Sequence, residues 1–238
     1  MKTLVAKLYG LWFLVVFVFC ATGAVLLALL LPGEHRRRRA ARSAARWVFL
    51  LTGSFPSIRG LERLPEEPSV IVANHASYLD GVLMTAALPD RFRFVIKREM
   101  TDVPVAHFLL RRVGAHFVER SDSRRGATDI RNIMQTADSG GSLVFFPEGT
   151  FRPEAGLRRF RNGAFAVAFR NNLPLVPVAI SGTREMLPAN RLLPAPGSLS
   201  IEIHPMFQPA AHQSIDVAIM YCRDRIMQST GEPDLQSS

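Results

Sequence analysis

Cysteine is scarce in this sequence, because 238 residues contain only Cys20 and Cys222. Two thiols cannot form a disulfide scaffold, and the sequence has neither a CxxC pair nor a cysteine–histidine cluster at metal-ligand spacing. We therefore predict no metal site and no bound cofactor.

Acidic residues are almost missing from the first 52 positions, where eight basic residues accompany one acidic residue, Glu34. Residues 53–238 carry a net charge of only +2, although the whole chain carries +9. A nucleic-acid-binding domain needs a basic face on its folded part, so we predict no nucleic-acid partner. The basic excess instead adjoins the most apolar segment of the chain, which favours a membrane surface as the partner.

Charge is absent from Leu8 to Leu31, a run of 24 residues. As a helix it would be roughly 36 Å long, enough for a hydrocarbon core of about 30 Å, so it predicts a membrane segment. A cleaved signal peptide has a shorter apolar region, of roughly 7–15 residues, and ends in a small-residue site that is absent here. A buried core helix is the third interpretation. A full span and a return within the bilayer both fit the sequence.

Six arginines follow the apolar run, within Arg36–Arg46, and outnumber the two lysines that precede it. The positive-inside rule then predicts that the rest of the chain lies on the cytoplasmic side, here of the inner membrane. Residues 40–52 are first basic and then apolar, which predicts a second helix lying in the membrane interface. The chain thus divides into a membrane anchor over 1–52 and a folded domain over 53–238.

Beyond residue 68, short apolar runs alternate with helical segments. The pattern predicts strands at 69–74, 92–97, 115–120, 142–147, 175–180 and 198–205, and helices at 80–88, 102–112, 122–138, 161–171 and 214–229. Continuous apolar runs are typical of strands covered on both faces, so the fold class is α/β, a layered, mostly parallel sheet flanked by helices. The proline-rich segment 187–197 predicts a long loop, and we expect the tail 231–238 to be loose.

The segment Asn74–Asp80, NHASYLD, joins the end of a predicted strand to the start of a helix. Ligands of open α/β sheets bind beyond the carboxyl ends of the strands. Across this junction Asp80 can reach a ring nitrogen of His75, fix the tautomer and leave the other nitrogen free to accept a proton. No serine or cysteine nucleophile is paired with them, so this pair would activate a hydroxyl of the substrate. A lone turn histidine beside a helix N-cap is the alternative.

The segment also resembles the NHx4D box of the glycerolipid acyltransferases, the family of bacterial 1-acyl-glycerol-3-phosphate acyltransferases. Four further segments follow in the family's order: VIKREM (95–100) resembles its KxEL segment, GAHFVER (114–120) its GxxFIxR block, FFPEGTFR (145–152) its FPEGTRS block, and LPLVPVAISGT (173–183) its VPVxIxGT strand. The similarity covers about residues 50–205, so it makes 53–238 a catalytic domain.

The resemblance implies that a fatty acyl group moves from acyl-CoA or acyl-ACP, as co-substrate, to the sn-2 hydroxyl of 1-acyl-glycerol-3-phosphate, giving phosphatidic acid. His75 would be the general base and Asp80 its partner, and membrane lipids and a lysophospholipid acceptor would be partners. The substrate-binding residues it implies are Asn74, Lys97, Arg120, Glu148, Gly149, Thr150 and Arg152. The reaction also needs a hydrogen-bond donor for the oxyanion that forms, and we expect backbone N–H groups near Gly149 to provide it.

One position departs from the family pattern: Phe151 stands where the family often has arginine after EGT. The departure motivates an alternative acceptor, lyso-ornithine lipid or another lysophospholipid. A second alternative is a non-catalytic, membrane-anchored lipid-binding protein on the same fold.

Overall fold

The structure is a computed structural model that describes residues 2–119, 129, 133–137, 139–210 and 212–235. It begins with two long helices, α1 (Lys2–Leu30) and α2 (Glu34–Leu51). Gly33 joins them with a φ of 76°, a conformation that a residue without Cβ adopts at little cost.

In the part of the chain that the structure describes, seven strands form one sheet and two form a small second sheet. The strands are β1 (Ser57–Arg59), β2 (Val70–Ala73), β3 (Phe92–Lys97), β4 (His116–Val118), β5 (Ser142–Phe145), β6 (Leu157–Arg158), β7 (Leu175–Ser181), β8 (Ser200–Ile203) and β9 (Asp234–Leu235). The large sheet has the order β1-β8-β7-β2-β5-β3-β4, and β6 pairs with β9. Only the pair β7–β8 is antiparallel among these described strands. The predicted mostly parallel sheet is therefore confirmed.

Further helices of the described residues connect and cover the strands: α3 (Leu79–Ala87), α4 (Pro104–Arg112), α5 (Gly163–Arg170), α6 (Thr183–Met186) and α7 (Ile215–Thr230). Short 3₁₀ turns lie at Leu61–Arg63 and Arg98–Asp102. The Ser214 hydroxyl accepts a hydrogen bond from the Val217 amide, which caps α7 as its sequence predicts.

The sheet separates two apolar cores, because alternate residues of a strand point to opposite faces. Ile71 of β2 packs with α1, α2 and α3, whereas its neighbour Val72 packs with α5 and α7. All four residues of β2 are buried, as a strand covered on both faces requires.

The helix α1 contributes one face to the first of these cores. Phe13 and Val16 are buried there with Phe49 of α2, while Leu8 and Leu11 on the other side are more than half exposed. Within the described residues one helical segment, Leu4–Leu30, is long and apolar enough to cross a membrane. The helices α1 and α2 share an apolar core with the sheet. The predicted division of the chain between residues 52 and 53 stays a prediction.

Several details differ from the sequence prediction. The strand β1 and the helix α6 were not predicted, because three or four residues give too little periodicity to detect. The tail was expected to be loose, but residues 234–235 form β9 against β6. Most of the predicted helix 122–138 lies outside the described residues. Residues 133–137, which are described, are helical. The predicted loop 187–197 contains neither helix nor strand.

Candidate active site

The histidine–aspartate pair lies at the carboxyl end of the central strand β2. His75 follows β2 by two residues, and Asp80 is the second residue of α3. Nδ1 of His75 is 2.8 Å from Oδ2 of Asp80, with the Asp80 side chain fully buried and that of His75 19% exposed. The junction thus brings the two side chains together while one side of the imidazole stays open to solvent.

The loop's own backbone fixes the aspartate. Oδ2 of Asp80 also accepts hydrogen bonds from the amides of Ala76 and Ser77, at 2.7 Å and 2.8 Å. Because a carboxylate can only accept, the proton of the neutral imidazole lies on Nδ1. Nε2 of His75 is then unprotonated and available as a base.

Two phenylalanines enclose the imidazole. The ring of Phe146 stacks on His75 with a centroid separation of 4.4 Å, and Phe151 meets it edge-on at 4.7 Å. Phe151 also meets the exposed ring of Tyr78 edge-on at 4.7 Å. Phe151, the residue that departs from the family pattern, therefore places its aromatic ring directly against the candidate base.

Glu148 connects the segment that follows β2 to the strand β6 by hydrogen bonds to their backbones. Its Oε1 accepts a hydrogen bond from the His75 amide at 2.7 Å, and its Oε2 accepts one from the Arg158 amide at 2.8 Å. Burial raises the pKa of Glu148 to about 7, although both amide donors oppose that rise. The carboxylate that the resemblance assigns to substrate holds the backbone of the candidate base in place.

Asn74 has a similar bridging geometry. Its Nδ2 donates to the carbonyl of Ile180 at 2.9 Å, and its Oδ1 accepts from the amide of the same residue at 2.7 Å. The buried side chain thus continues the pairing of β2 with β7 beyond the last residue of the strand. These contacts make Asn74 a residue that anchors the loop, whereas its binding to substrate stays a prediction.

The remaining predicted substrate residues are more open. Lys97 ends β3 and pairs with Glu99 at 2.7 Å, and Thr150 and Arg152 are exposed. Parallel strands lie about 4.8 Å apart, so the end of β3 is roughly 10 Å from that of β2, with β5 between them. Arg120 lies outside the described residues. The Gly149 amide donates to the carbonyl of Phe146 at 3.0 Å, and an oxyanion donor near Gly149 stays a prediction.

Comparison with known proteins identifies the family of the chain. Residues 56–181 match the sequence model described as Acyltransferase. This chain belongs to the acyltransferase family. The match covers β1 through β7 and so includes His75, Asp80 and Glu148.

The relatives of this family member include two enzymes whose names state different acceptors. The chain is 29% identical over 235 residues to the chloroplastic 1-acyl-sn-glycerol-3-phosphate acyltransferase LPAT1 of Arabidopsis thaliana, covering 94% of this chain and 65% of that protein. It is 32% identical over 163 residues to the lyso-ornithine lipid O-acyltransferase of Pseudomonas aeruginosa, covering 66% and 60%. The chain thus spans less than two thirds of the length of either relative.

A solved structure shares the fold. The crystal structure of the 1-acyl-sn-glycerophosphate acyltransferase PlsC from Thermotoga maritima superposes with a TM-score of 0.80. The two sequences are 22% identical, and the match covers 96% of each chain. The acyltransferase fold therefore extends over the two N-terminal helices as well as the sheet.

The buried Glu148 is expected to make the stability of this acyltransferase depend on pH. Its folded pKa of about 7 exceeds the ordinary glutamate value of 4.5, so the stabilisation is fully present below pH 4.5 and is lost as the pH rises through 7. Relative to Glu148→Gln, the wild type is expected to lose about 2–3 kcal/mol of unfolding free energy between pH 5 and pH 8.

Urea unfolding of both proteins at the two pH values measures this difference. The glutamine places an NH₂ group against a backbone amide. We therefore expect the unfolding free energy of the variant at pH 5 to be lower by roughly 1–3 kcal/mol, in addition to the pH-dependent difference. Parallel pH profiles of the two proteins would show that Glu148 titrates as an exposed carboxyl group does.

Proposed function

We propose that this protein is a membrane-associated O-acyltransferase that acylates the sn-2 hydroxyl of 1-acyl-glycerol-3-phosphate and forms phosphatidic acid. The acyl donor is the thioester of acyl-CoA or acyl-ACP. The observation that carries the proposal is the 2.8 Å contact between His75 and Asp80, with Asp80 held by two backbone amides. That contact also argues against a non-catalytic lipid-binding protein, which has no need of an oriented base.

In the proposed reaction Nε2 of His75 removes the proton of the acceptor hydroxyl while its oxygen attacks the thioester carbonyl carbon. Asp80 stabilises the imidazolium that forms, as the aspartate of a catalytic triad does. The C–S bond then breaks, and the imidazolium returns its proton to the departing thiolate. A positioned base of this kind contributes roughly 10²–10⁴-fold to the rate.

The placement of α1 supports a membrane anchor that lies along the domain. The Gly10 backbone approaches Leu193 so closely that a Cβ on Gly10 would lie 2.8 Å from the Leu193 Cβ. Eighteen residues later, the Arg112 guanidinium donates to the carbonyl of Ala28 at 2.7 Å. These contacts are roughly 27 Å apart along the helix, so the domain accompanies α1 over nearly the length of a bilayer crossing.

A helix held in this way meets lipid with its exposed side and cannot cross the bilayer while the domain stays in water. We therefore favour a helical pair, α1 and α2, that enters one leaflet. The arginines of α2 suit anionic headgroups on the cytoplasmic face of the inner membrane, which is where we place the enzyme.

The exposed side of α1 is then expected to carry the membrane affinity. Leu8→Asp and Leu11→Asp together should lower binding to anionic vesicles by about tenfold for each substitution, because each removes the burial of one leucine. Val217→Asp with Met220→Asp, on the exposed side of α7, is the matched control and should bind as the wild type does. Vesicle flotation measures both. Equal losses in the two variants would refute the assignment of α1 as the anchor.

The reaction is tested with purified, detergent-solubilised protein. Labelled acyl-CoA and acyl-ACP are each offered with 1-acyl-glycerol-3-phosphate, and a folded His75→Ala variant is the control. Product from the wild type alone supports the reaction and its base. If no donor gives product, the proposed acceptor is wrong, and equal product from both proteins excludes His75 as the base.

A second acceptor is favoured by one observation, the Phe151 ring against His75 where the family often has arginine. An apolar ring cannot pair with a phosphate, so a phosphate-free lysolipid such as lyso-ornithine lipid is the alternative. The same assay with lyso-ornithine lipid in parallel separates the two acceptors. A higher kcat/KM for the phosphate-free lysolipid would replace the first proposal while keeping the same base.

A further inference from the structure

The C-terminal segment 231–235 lies against the loop that follows β5. Glu232 forms a bidentate ion pair with Arg184, in which the guanidinium Nε and Nη2 are each 3.0 Å from a carboxylate oxygen. The Arg184 side chain is 12% exposed and that of Glu232 18%. A planar guanidinium matched to a carboxylate in this way is a rigid connection, and partial burial shields it from screening by salt.

The same two side chains bind the backbone of the loop at three places. Nη1 of Arg184 donates to the carbonyls of Arg152 and Glu154, each at 2.7 Å. Oε2 of Glu232 accepts from the Gly156 amide at 3.0 Å. The ion pair therefore fixes three alternate residues of one segment, and we name residues 150–156 the Phe151 loop.

The Phe151 loop reaches the candidate base directly. Phe151, whose ring meets His75, immediately precedes Arg152, whose carbonyl Arg184 holds. The packing is also close at the other end of the loop. Gly156 has a φ of 137°, and a Cβ added there would lie 2.4 Å from the Leu235 side chain. The tail and α6 thus both contact the loop whose Phe151 ring meets His75.

We propose that Arg184 and Glu232 are positioning residues that hold the Phe151 loop against His75 and so set the affinity for the acceptor. Neither residue is assigned a contact with substrate. The part of this inference that concerns the acceptor rests on the proposed function, whereas the effect on the surroundings of His75 does not. Misplacement of a binding group by about 1 Å can cost up to 10²-fold.

The chain provides a matched control on the same tail. Asp234 pairs with Arg223, and the Arg223 guanidinium donates to the carbonyls of Leu157 and Arg158 in β6. This second pair attaches the tail beyond the Phe151 loop. Asp234→Asn therefore tests tail attachment in general, whereas Glu232→Gln tests the contacts with the loop.

Kinetics form the first arm of the experiment. Glu232→Gln keeps the side-chain volume but places an NH₂ group against Arg184 or the Gly156 amide. We expect its KM for the lysolipid acceptor to rise about tenfold, with the KM for the acyl donor unchanged within error. Arg184→Lys should behave alike, since the three hydrogens of an ammonium group lie on one nitrogen and cannot reproduce the three separate nitrogens that reach the carboxylate and both carbonyls. The double variant should add little, because the two residues act as one unit.

The second arm is independent of turnover. The imidazole resonances of His75, assigned with ¹⁵N-histidine-labelled protein and His75→Ala, depend on the ring current of Phe151. Phe151→Leu defines the shift expected when that ring is absent. Glu232→Gln should move the His75 resonances toward that reference, and Asp234→Asn should leave them at their wild-type positions.

Each outcome decides the inference. A raised acceptor KM together with a shifted His75 resonance in Glu232→Gln alone supports it. Unchanged His75 resonances in folded Glu232→Gln overturn it, as do equal effects of Glu232→Gln and Asp234→Asn, which would reduce the pair to tail attachment. If the wild type transfers no acyl group to any acceptor, the proposed function fails, and the resonances still decide whether the pair positions the loop.

Discussion

Replacing His75 by alanine is expected to lower kcat by at least 10²–10⁴-fold, because it removes the group that we propose accepts the proton of the attacking hydroxyl. The loss should appear in kcat more than in the KM for either substrate, since the imidazole acts mainly in the transition state. Steady-state kinetics with a saturating acyl donor measure the effect. Circular dichroism is used to match the concentrations of folded protein.

His212→Ala is the matched control, because His212 is an exposed histidine between β8 and α7. Alanine at position 75 also leaves a slot between the rings of Phe146 and Phe151, which enclose the wild-type imidazole. Added imidazole should therefore restore part of the activity to His75→Ala and none to the control. Undiminished turnover of His75→Ala would remove the histidine from the mechanism.

Asp80→Asn is expected to lower kcat by roughly 10²–10⁴-fold while the protein keeps its fold. All three hydrogen bonds to Asp80 converge on Oδ2, so the oxygen of asparagine can replace it and keep the orientation of His75. What is lost is the negative charge that stabilises the imidazolium. The decrease in kcat therefore reports the charge rather than a displaced ring.

The substitution also has a cost in stability. Oδ1 of Asp80 is buried and has no hydrogen-bond partner among the described residues, so the NH₂ of asparagine would be unsatisfied there. We expect a loss of roughly 1–3 kcal/mol in the unfolding free energy. Asp90→Asn is the control for removing a partly buried charge, because the Asp90 carboxylate pairs with Arg39 on α2. Near-normal turnover of Asp80→Asn would show that His75 needs no charged partner.

The sequence by itself determined the features that depend on neighbouring residues. The apolar run around β2 predicts a strand covered on both faces, and the segment Asn74–Asp80 predicts a pair at the strand's carboxyl end. A five-residue junction between strand and helix leaves few geometries, so its sequence is sufficient to place His75 beside Asp80. The long uncharged run of α1 and the arginines after it are equally visible without a fold.

Tertiary structure decided what surrounds that pair. Glu148 is 73 residues from His75 along the chain, yet β5 lies beside β2 and brings its carboxylate to the His75 amide. The same adjacency brings the rings of Phe146 and Phe151 against the imidazole, which their positions in the sequence do not show. Periodicity along the chain carries no information about which strands become neighbours.

The N- and C-terminal segments show the same division. The composition of α1 predicts that it is apolar, but only its packing on α2 and α4 shows which face remains exposed. The tail was expected to be loose, whereas Glu232 pairs with Arg184, 48 residues earlier in the chain, and Asp234 pairs with Arg223, 11 residues earlier. Local pattern predicted the candidate base and its partner, and the backbone of the same junction holds Asp80. The contact that holds the His75 backbone is long-range, because it depends on the order of the strands in space.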